Sequence, residues 1–108
     1  MRVLLVFLLT FSLACVGYAR PHYRIHVFKC YEAKNYRRTM TGYGYDILNG
    51  GKPFIHQASV PAIPGNEPFK TRKQAKRVAR LVRKKLKQGI MPPTVSIAEL
   101  QALGIIGK

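Results

Sequence analysis

The side chains that could act as a nucleophile, a general base or a general acid are few in this chain. The histidines are His22, His26 and His56, and Cys30 lies between the last two. A cysteine beside a histidine can form the activated pair of a thiol hydrolase. His26 and Cys30 lie four residues apart on one predicted strand, too far along it for a direct hydrogen bond. We therefore predict that the protein is not an enzyme. The alternative is a small hydrolase centred on Cys30 and His56, which would require these two side chains to meet between strands.

Other kinds of chemistry have less support in the sequence. Cysteine and histidine are not spaced as they are in zinc sites. There is no pair of carboxylates for acid–base work, and no glycine-rich loop joins a strand to a helix as phosphate-binding loops require. Gly42 and Gly44 are better explained by the entry into a strand. We therefore predict no catalytic residue, no metal and no cofactor, and we expect Cys30 to be a small buried residue.

A polar pair, His56-Gln57, ends the third predicted strand just before a proline-rich loop. Flanked by Tyr43 and Tyr45, this hairpin edge is a candidate for ligand contact. The alternative is that His56 is half-buried and fixes the following loop by hydrogen bonds. The alternative is favoured because buried polar groups are generally paired.

The charge balance points to a class of partner. The chain has 19 Lys and Arg against 4 Asp and Glu, a net charge of +15. Such an excess predicts attraction to polyanions, and the alternative is a solvated cationic surface without a specific partner. Much of the excess lies on one predicted helix, mostly opposite its apolar stripe. The predicted polyanion-binding residues are Arg72, Lys73, Lys76, Arg77, Arg80, Arg83, Lys84 and Lys87.

The elements that would position these residues begin with three strands. Residues 23–33 alternate with a period of two and are rich in β-branched and aromatic side chains, which predicts a strand. Residues 43–48 and 52–57 form a predicted hairpin about Asn49-Gly50-Gly51, because these residues tolerate positive φ. Residues 34–41 are polar and basic, and they are predicted as a loop or an irregular strand end.

The predicted hairpin register divides its side chains between two faces. A two-residue turn places Tyr43, Tyr45 and Ile47 on the same face as Phe54 and His56. The other face then holds the remaining hairpin residues, which are Gly44, Asp46, Leu48, Ile55 and Gln57.

Two helices complete the predicted fold. Three prolines stiffen the crossover 59–69, and its apolar residues are expected to enter the core. Thr71 and Gln74 predict a capping box for a helix over 72–88, whose stripe is Ala75, Val78, Ala79, Val82 and Leu86. A second capping box opens a short helix over 97–103. The fold class is therefore α+β: a three-stranded antiparallel sheet, made of hairpin 43–57 and strand 23–33, packed by the helices 72–88 and 97–103.

The N-terminus predicts export. A single Arg2 precedes an apolar run that ends in small residues, as in a secretory signal peptide cleaved after Ala19. The domain organisation is then a signal peptide over 1–19 and one domain over 20–108, with no spanning segment after cleavage. A lipoprotein site at Cys15 and an uncleaved anchor are the alternatives. We expect a periplasmic or secreted protein.

The chain resembles a known family through motifs that occur in order. They are GYGYDI, KPFIHQ, VPAIPGNEPFKT, QAKRVARLVRKKLKQG and PPTVS, with an EL pair before LGI. These blocks are similar to the small exported bacterial family called domain of unknown function 4907, over residues 23–106. The resemblance implies the fold and an exported setting but no activity. Tyr43 stands where the family pattern has Trp, and Arg72-Lys73 stand where it has acids.

These observations predict a non-catalytic binding or accessory module of the cell envelope with a cationic surface. Its expected partner is an anionic surface, such as an acidic glycan, lipopolysaccharide or anionic lipid, or a larger envelope protein. Export argues against nucleic acid. A cationic membrane-active secreted protein is a further alternative, but the disulfide framework of such small proteins is missing.

Overall fold

The computed structural model describes residues 21–107. It contains a three-stranded antiparallel sheet in the order β1-β2-β3, followed by two helices, which confirms the predicted α+β fold. The predicted signal peptide over 1–19 and the lipoprotein alternative at Cys15 lie outside the described residues. The elements are β1 (Tyr23–Lys34), β2 (Arg37–Asn49), β3 (Lys52–Gln57), α1 (Arg72–Lys87) and α2 (Ile97–Ala102).

One face of the sheet forms the core together with α1, which packs on β1 and β2. The stripe predicted for α1 is confirmed, since all five of its residues are buried. They pack with Tyr45 and Ile47 of β2 and with Leu100 of α2. Sequestering this stripe offsets the repulsion between the like charges that the helix carries four residues apart.

The proline-rich crossover is ordered by its contacts with the sheet. Phe69 is fully buried, and Val60 and Ile63 pack beside the core, as predicted. The backbone of Phe69 pairs with Tyr43, with N–H···O distances of 2.8 and 2.9 Å in the two directions. Phe69 therefore continues the sheet beside β2 beyond the end of β3, and it sets the point from which α1 begins.

The predicted faces of the hairpin are wrong. A β-bulge follows the turn at Gly50-Gly51: Leu48 is opposite Pro53, whereas Ile47 is opposite Ile55. The extra residue is Phe54, and it reverses the parity of the rest of β3. Pro53 lies at this point and has no N–H to donate to the ladder. Ile55 and Gln57 thus share the core face with Tyr45, and His56 points to the opposite face.

Residues 34–41, predicted as a loop or an irregular strand end, are strand on both sides of a two-residue turn. β1 and β2 pair as far as Lys34 and Arg37, across Asn35-Tyr36. Residues 31–41 are all exposed, and we call this segment the hairpin arm. Neither face of the arm is buried, so its sequence carries no alternation from which a strand could be predicted.

The caps of α1 are close to those predicted. Thr71 accepts a hydrogen bond from the N–H of Gln74 at 3.1 Å. The Gln74 side chain reaches back to the N–H of Lys70, at 3.3 Å, instead of that of Thr71. After the last residue, Lys87, the chain turns at Gly89, where the N–H of Ile90 donates to the carbonyl of Lys85 at 2.9 Å.

The short helix α2 is joined to α1 by a contact that the sequence did not predict. The predicted capping box is confirmed: Ser96 accepts from the N–H of Glu99, and the Glu99 carboxylate accepts from the N–H of Ser96. The same carboxylate accepts from Lys85 Nζ at 2.7 Å, and Lys85 also donates to the carbonyl of Thr94. Glu99 therefore connects the first turn of α2 to the last turn of α1.

We expect Glu99→Gln to lower the free energy of unfolding by up to about 1 kcal/mol at neutral pH, because glutamine can keep the capping contact with Ser96 but loses the ion pair with Lys85. The hydrogen bonds from Lys85 and then from the Ser96 N–H lower the pKa of Glu99. A lowered pKa in the folded state stabilises the protein above the ordinary pKa of about 4.3, and this gain is lost as the pH falls through the folded value. Urea unfolding between about pH 5 and pH 3 should therefore show a weaker pH dependence in the variant.

Glu67→Gln is the control for this prediction. Glu67 is exposed and has no ion pair within residues 21–107. An equal pH dependence in the wild type and Glu99→Gln would show that the contact with Lys85 does not contribute to stability.

Candidate functional site

The basic residues of α1 divide into two sets. Among the eight predicted binding residues, Arg72 and Arg77 have partners within the protein. Arg72 lies over the ring of Tyr43, 5.3 Å from its centroid, and reaches the carbonyl of Val27 at 3.5 Å. Arg77 donates to the carbonyl of Leu103 at 3.2 Å, just after α2 ends. These two side chains connect α1 to the sheet and to the residue that follows α2, so they contribute to the fold as well as to the net charge.

The other six have no side-chain hydrogen bond or ion pair within residues 21–107. The carboxylate contacts of this region are the hydrogen bond between His56 and Asp46 and the ion pair between Lys85 and Glu99. All six are exposed except Arg83, which is half-buried. We call this set the free basic face: Lys73, Lys76, Arg80, Arg83, Lys84 and Lys87.

Part of the free basic face borders a cleft at the edge of the sheet. Lys76, Arg80 and Arg83 follow one another at i, i+4 and i+7, so they share one side of α1. They line a cleft of about 400 Å³ against the start of β1, which contributes Arg24. His22, Tyr23 and Ile25 complete the lining. Arg24 was not among the predicted site residues, because nothing local to the sequence brings it beside a helix about 50 residues later.

The four residues of the predicted hairpin edge do not form one surface. Tyr45 is 2% exposed and belongs to the core. Gln57 is half-buried and donates to the carbonyl of Ser59 at 2.6 Å, so it is Gln57 that fixes the loop. Tyr43 is half-buried, beside Arg72. His56 lies on the other face, where its side chain is 65% exposed, so the expectation of a half-buried His56 is wrong.

His56 belongs instead to a small cluster on the face of the sheet away from α1. Its Nδ1 lies 2.5 Å from Oδ1 of Asp46, the residue opposite it on β2. Its ring stacks on Phe28 of β1, with 5.0 Å between centroids and 5° between planes. Phe28 reaches His56 across the intervening strand because the residue opposite Phe28 is Gly44, which has no side chain. Gly44 thus leaves the space that Phe28 occupies. This packing role was not predicted, since the sequence indicated only that Gly44 enters a strand.

Cys30 does not meet the geometry of an activated thiol. It is half-buried, and its Sγ lies 3.7 Å from the carbonyl of Ala58. No histidine among residues 21–107 is within hydrogen-bond reach of this thiol. Burial raises the pKa of Cys30, which favours the unreactive protonated form. In the same range, no group of three or more His, Cys, Asp or Glu side chains could hold a metal ion.

The hairpin arm is a second exposed surface that the sequence did not indicate. Tyr36 is fully exposed in its turn, with φ at 65°. Tyr31 is also exposed and lies under Arg38, whose guanidinium carbon is 4.7 Å from the ring centroid. An aromatic residue of this size is uncommon at positive φ, so the turn at Asn35-Tyr36 is strained.

The fold and the free basic face define a class: a small α+β domain with one long cationic helix. The chain belongs to the family described as Domain of unknown function (DUF4907), whose model matches residues 36–102. This confirms the predicted resemblance, over a shorter range than expected. The comparisons found no match among curated proteins and none among solved structures. Within residues 21–107, neither helix is long and apolar enough to cross a membrane.

Proposed function

We propose that this protein is a non-catalytic binding module of the cell envelope that attaches to a polyanion through the free basic face of α1. The observation that carries the proposal is the set of six cationic side chains without an ion-pair partner in residues 21–107. Lys85, on the same helix, differs from these six because it is paired with Glu99. Unpaired charges on one exposed face create a positive potential that attracts anionic surfaces.

The packing of α1 supports attachment at a surface in preference to insertion into lipid. Insertion would require the apolar stripe of the helix to leave the sheet, and all five residues of that stripe are buried in the core. A helix that lies in a membrane interface needs its apolar face free. The exported setting follows from the sequence of residues 1–19 and is part of the proposal.

Binding to heparin, a soluble sulfated polyanion, tests this proposal. We expect the wild type to bind at low salt and to lose at least about ten-fold in affinity between about 50 and 300 mM NaCl, because salt screens exposed charges. The variant Lys73→Glu/Lys84→Glu/Lys87→Glu should bind at least about ten-fold more weakly than the wild type at low salt. Calorimetric titration gives both affinities.

The matched control is Lys29→Glu/Lys34→Glu/Lys52→Glu, which makes the same change in net charge at exposed residues of the sheet. If both triple variants lose the same affinity, net charge alone drives binding and α1 is not the site. Affinity that does not respond to salt, or no binding at low salt, would contradict the proposal altogether.

A further inference from the structure

We infer that the cleft between α1 and β1 is a binding site for a phosphomonoester, the dianionic phosphate group carried by phosphorylated sugars and by some lipid headgroups. This inference rests on the proposed function, and it assigns the ligand chemistry and the position of the strongest contacts. The site consists of Lys76, Arg80 and Arg83, with Tyr23 and Ile25 as an apolar wall.

Three cations from one side of α1, which are Lys76, Arg80 and Arg83, line this cleft opposite the edge strand β1. Arg24 also lines the cleft, but it alternates with Tyr23 and Ile25, which pack on the core, so its side chain starts from the face of the sheet away from α1. None of these cations pairs with a carboxylate within residues 21–107. Residues 1–20, which precede β1, contain no Asp or Glu that could neutralise the cleft. Positive groups around a concave surface focus the potential more strongly than the same groups on a convex helix.

The composition of the cleft favours phosphate over other anions. Two of the three cations are arginines, whose planar guanidinium groups bind phosphate oxygens through two parallel hydrogen bonds. Arginine also remains charged at any physiological pH, so the site keeps its charge without a partner. A phosphomonoester carries a charge of about −1.5 to −2 at neutral pH, which suits several cations better than a monoanion does.

The size and walls of the cleft indicate that the phosphate is attached to a larger group. A volume of about 400 Å³ exceeds what a phosphate ion needs and falls within the range of small-molecule sites. Tyr23 and Ile25 are half-buried and pack against the core, so their positions are fixed. An aromatic ring beside an anion site can contact the carbon face of a sugar or the glycerol of a lipid headgroup.

Titration of the purified protein with glucose 6-phosphate at pH 7.5 tests the inference. Dimethyl phosphate, a monoanionic diester of the same tetrahedral shape, and acetate are the comparison ligands, at equal ionic strength. We expect glucose 6-phosphate to bind at least about ten-fold more tightly than either comparison ligand, because it carries the second charge. Equal affinities for the three ligands would overturn the assignment to a phosphomonoester.

Matched variants separate the cleft from the rest of the helix. Arg80→Gln/Arg83→Gln and Lys84→Gln/Lys87→Gln each remove two positive charges from α1. The first should weaken glucose 6-phosphate binding at least about ten-fold and the second less than about three-fold. Because Arg83 is half-buried, Lys76→Gln serves as a second cleft variant at an exposed residue of α1, and it should also weaken binding.

A charge-preserving variant distinguishes arginine geometry from charge. Arg80→Lys/Arg83→Lys should lose about five-fold in glucose 6-phosphate affinity, because lysine cannot make the paired hydrogen bonds, whereas heparin affinity, which is spread over all six free cations, should change less than about two-fold. Vesicles with phosphatidic acid, compared with vesicles of phosphatidylglycerol, show whether a lipid headgroup can also supply the phosphomonoester.

The outcomes distinguish this inference from the proposed function. If heparin binds but the two glutamine pairs weaken glucose 6-phosphate binding equally, the cleft is not the site and the proposed function stands. If heparin binds and glucose 6-phosphate does not, the phosphomonoester assignment is wrong. If neither binds at low salt, both proposals fail.

Discussion

Replacing Phe69 by alanine should lower the free energy of unfolding by about 3–5 kcal/mol, the usual cost of removing a buried phenylalanine from a core. Phe69 is fully buried, and its ring lies 6.0 Å from that of Tyr45, centroid to centroid. It joins the proline-rich crossover to the sheet and lies two residues before the N-cap of α1. The loss is a large share of the total stability expected for a small domain.

The backbone hydrogen bonds between Phe69 and Tyr43 can persist in the variant, so the measured loss reports mainly the side chain. Urea unfolding followed by circular dichroism gives the free energy. Phe54→Ala is the matched control: Phe54 is 45% exposed at the β-bulge, and its removal should cost no more than about 1 kcal/mol. Similar losses for the two variants would mean that the crossover is not anchored through the ring of Phe69.

Replacing Gly44 by alanine should lower the free energy of unfolding by about 1–3 kcal/mol, the usual cost of overpacking. A Cβ at this position would lie 2.6 Å from the ring of Phe28 and 2.6 Å from the carbonyl oxygen of Gln57. One of these contacts is with backbone, so the strain cannot be relieved by a change of rotamer alone. Thermal unfolding should register a fall in Tm of about 4–8 °C for each kcal/mol.

The double variant Phe28→Ala/Gly44→Ala identifies the source of the strain. If the ring of Phe28 causes most of the cost, adding Gly44→Ala to Phe28→Ala will cost less than adding it to the wild type. If the two costs are equal, the contact with Gln57 dominates. Gly107→Ala, where an added Cβ meets no atom within 4 Å, is the neutral control. A neutral result for Gly44→Ala would show that Phe28 does not need the open position opposite it.

The exposed cluster on the outer face of the sheet depends on the same glycine. Phe28 stacks on the ring of His56 only because it can cross β2 above Gly44. Asp46 contacts Nδ1 at the edge of the same imidazole. These contacts give His56 a partner without burying it. The alternative of a hydrolase centred on Cys30 and His56 has no support in this arrangement, since Cys30 contacts Ala58 and His56 contacts Asp46.

Local features of the fold were predictable from the sequence because local interactions determine them. The stripe of α1 follows from the helical period, and the capping box of Ser96 and Glu99 joins residues three apart. A turn within Asn49-Gly50-Gly51 follows from the positive φ that these residues tolerate, and the structure places it at Gly50-Gly51. The sequence motifs also identified the family, since they are contiguous stretches that can be compared in order without knowledge of tertiary contacts.

Features that depend on contacts between distant residues were not predictable. One extra residue at Phe54 reverses the parity of β3, which moved His56 to the opposite face from Tyr45. The hairpin arm has no buried face, so its strands lack the alternation that burial imposes. The contact between Lys85 and Glu99 forms only when α2 packs beside α1.

The candidate site combines both kinds of information. Composition and helical period need no tertiary contact, so they alone indicate that the protein is strongly cationic and that most of the charge on α1 lies away from its apolar stripe. Which cations have partners depends on the packed fold, in which Arg72 and Arg77 donate to neighbouring carbonyls and six others are free. The packed fold also places the edge of β1 beside Lys76, Arg80 and Arg83, since a concave site requires two elements distant in sequence to meet.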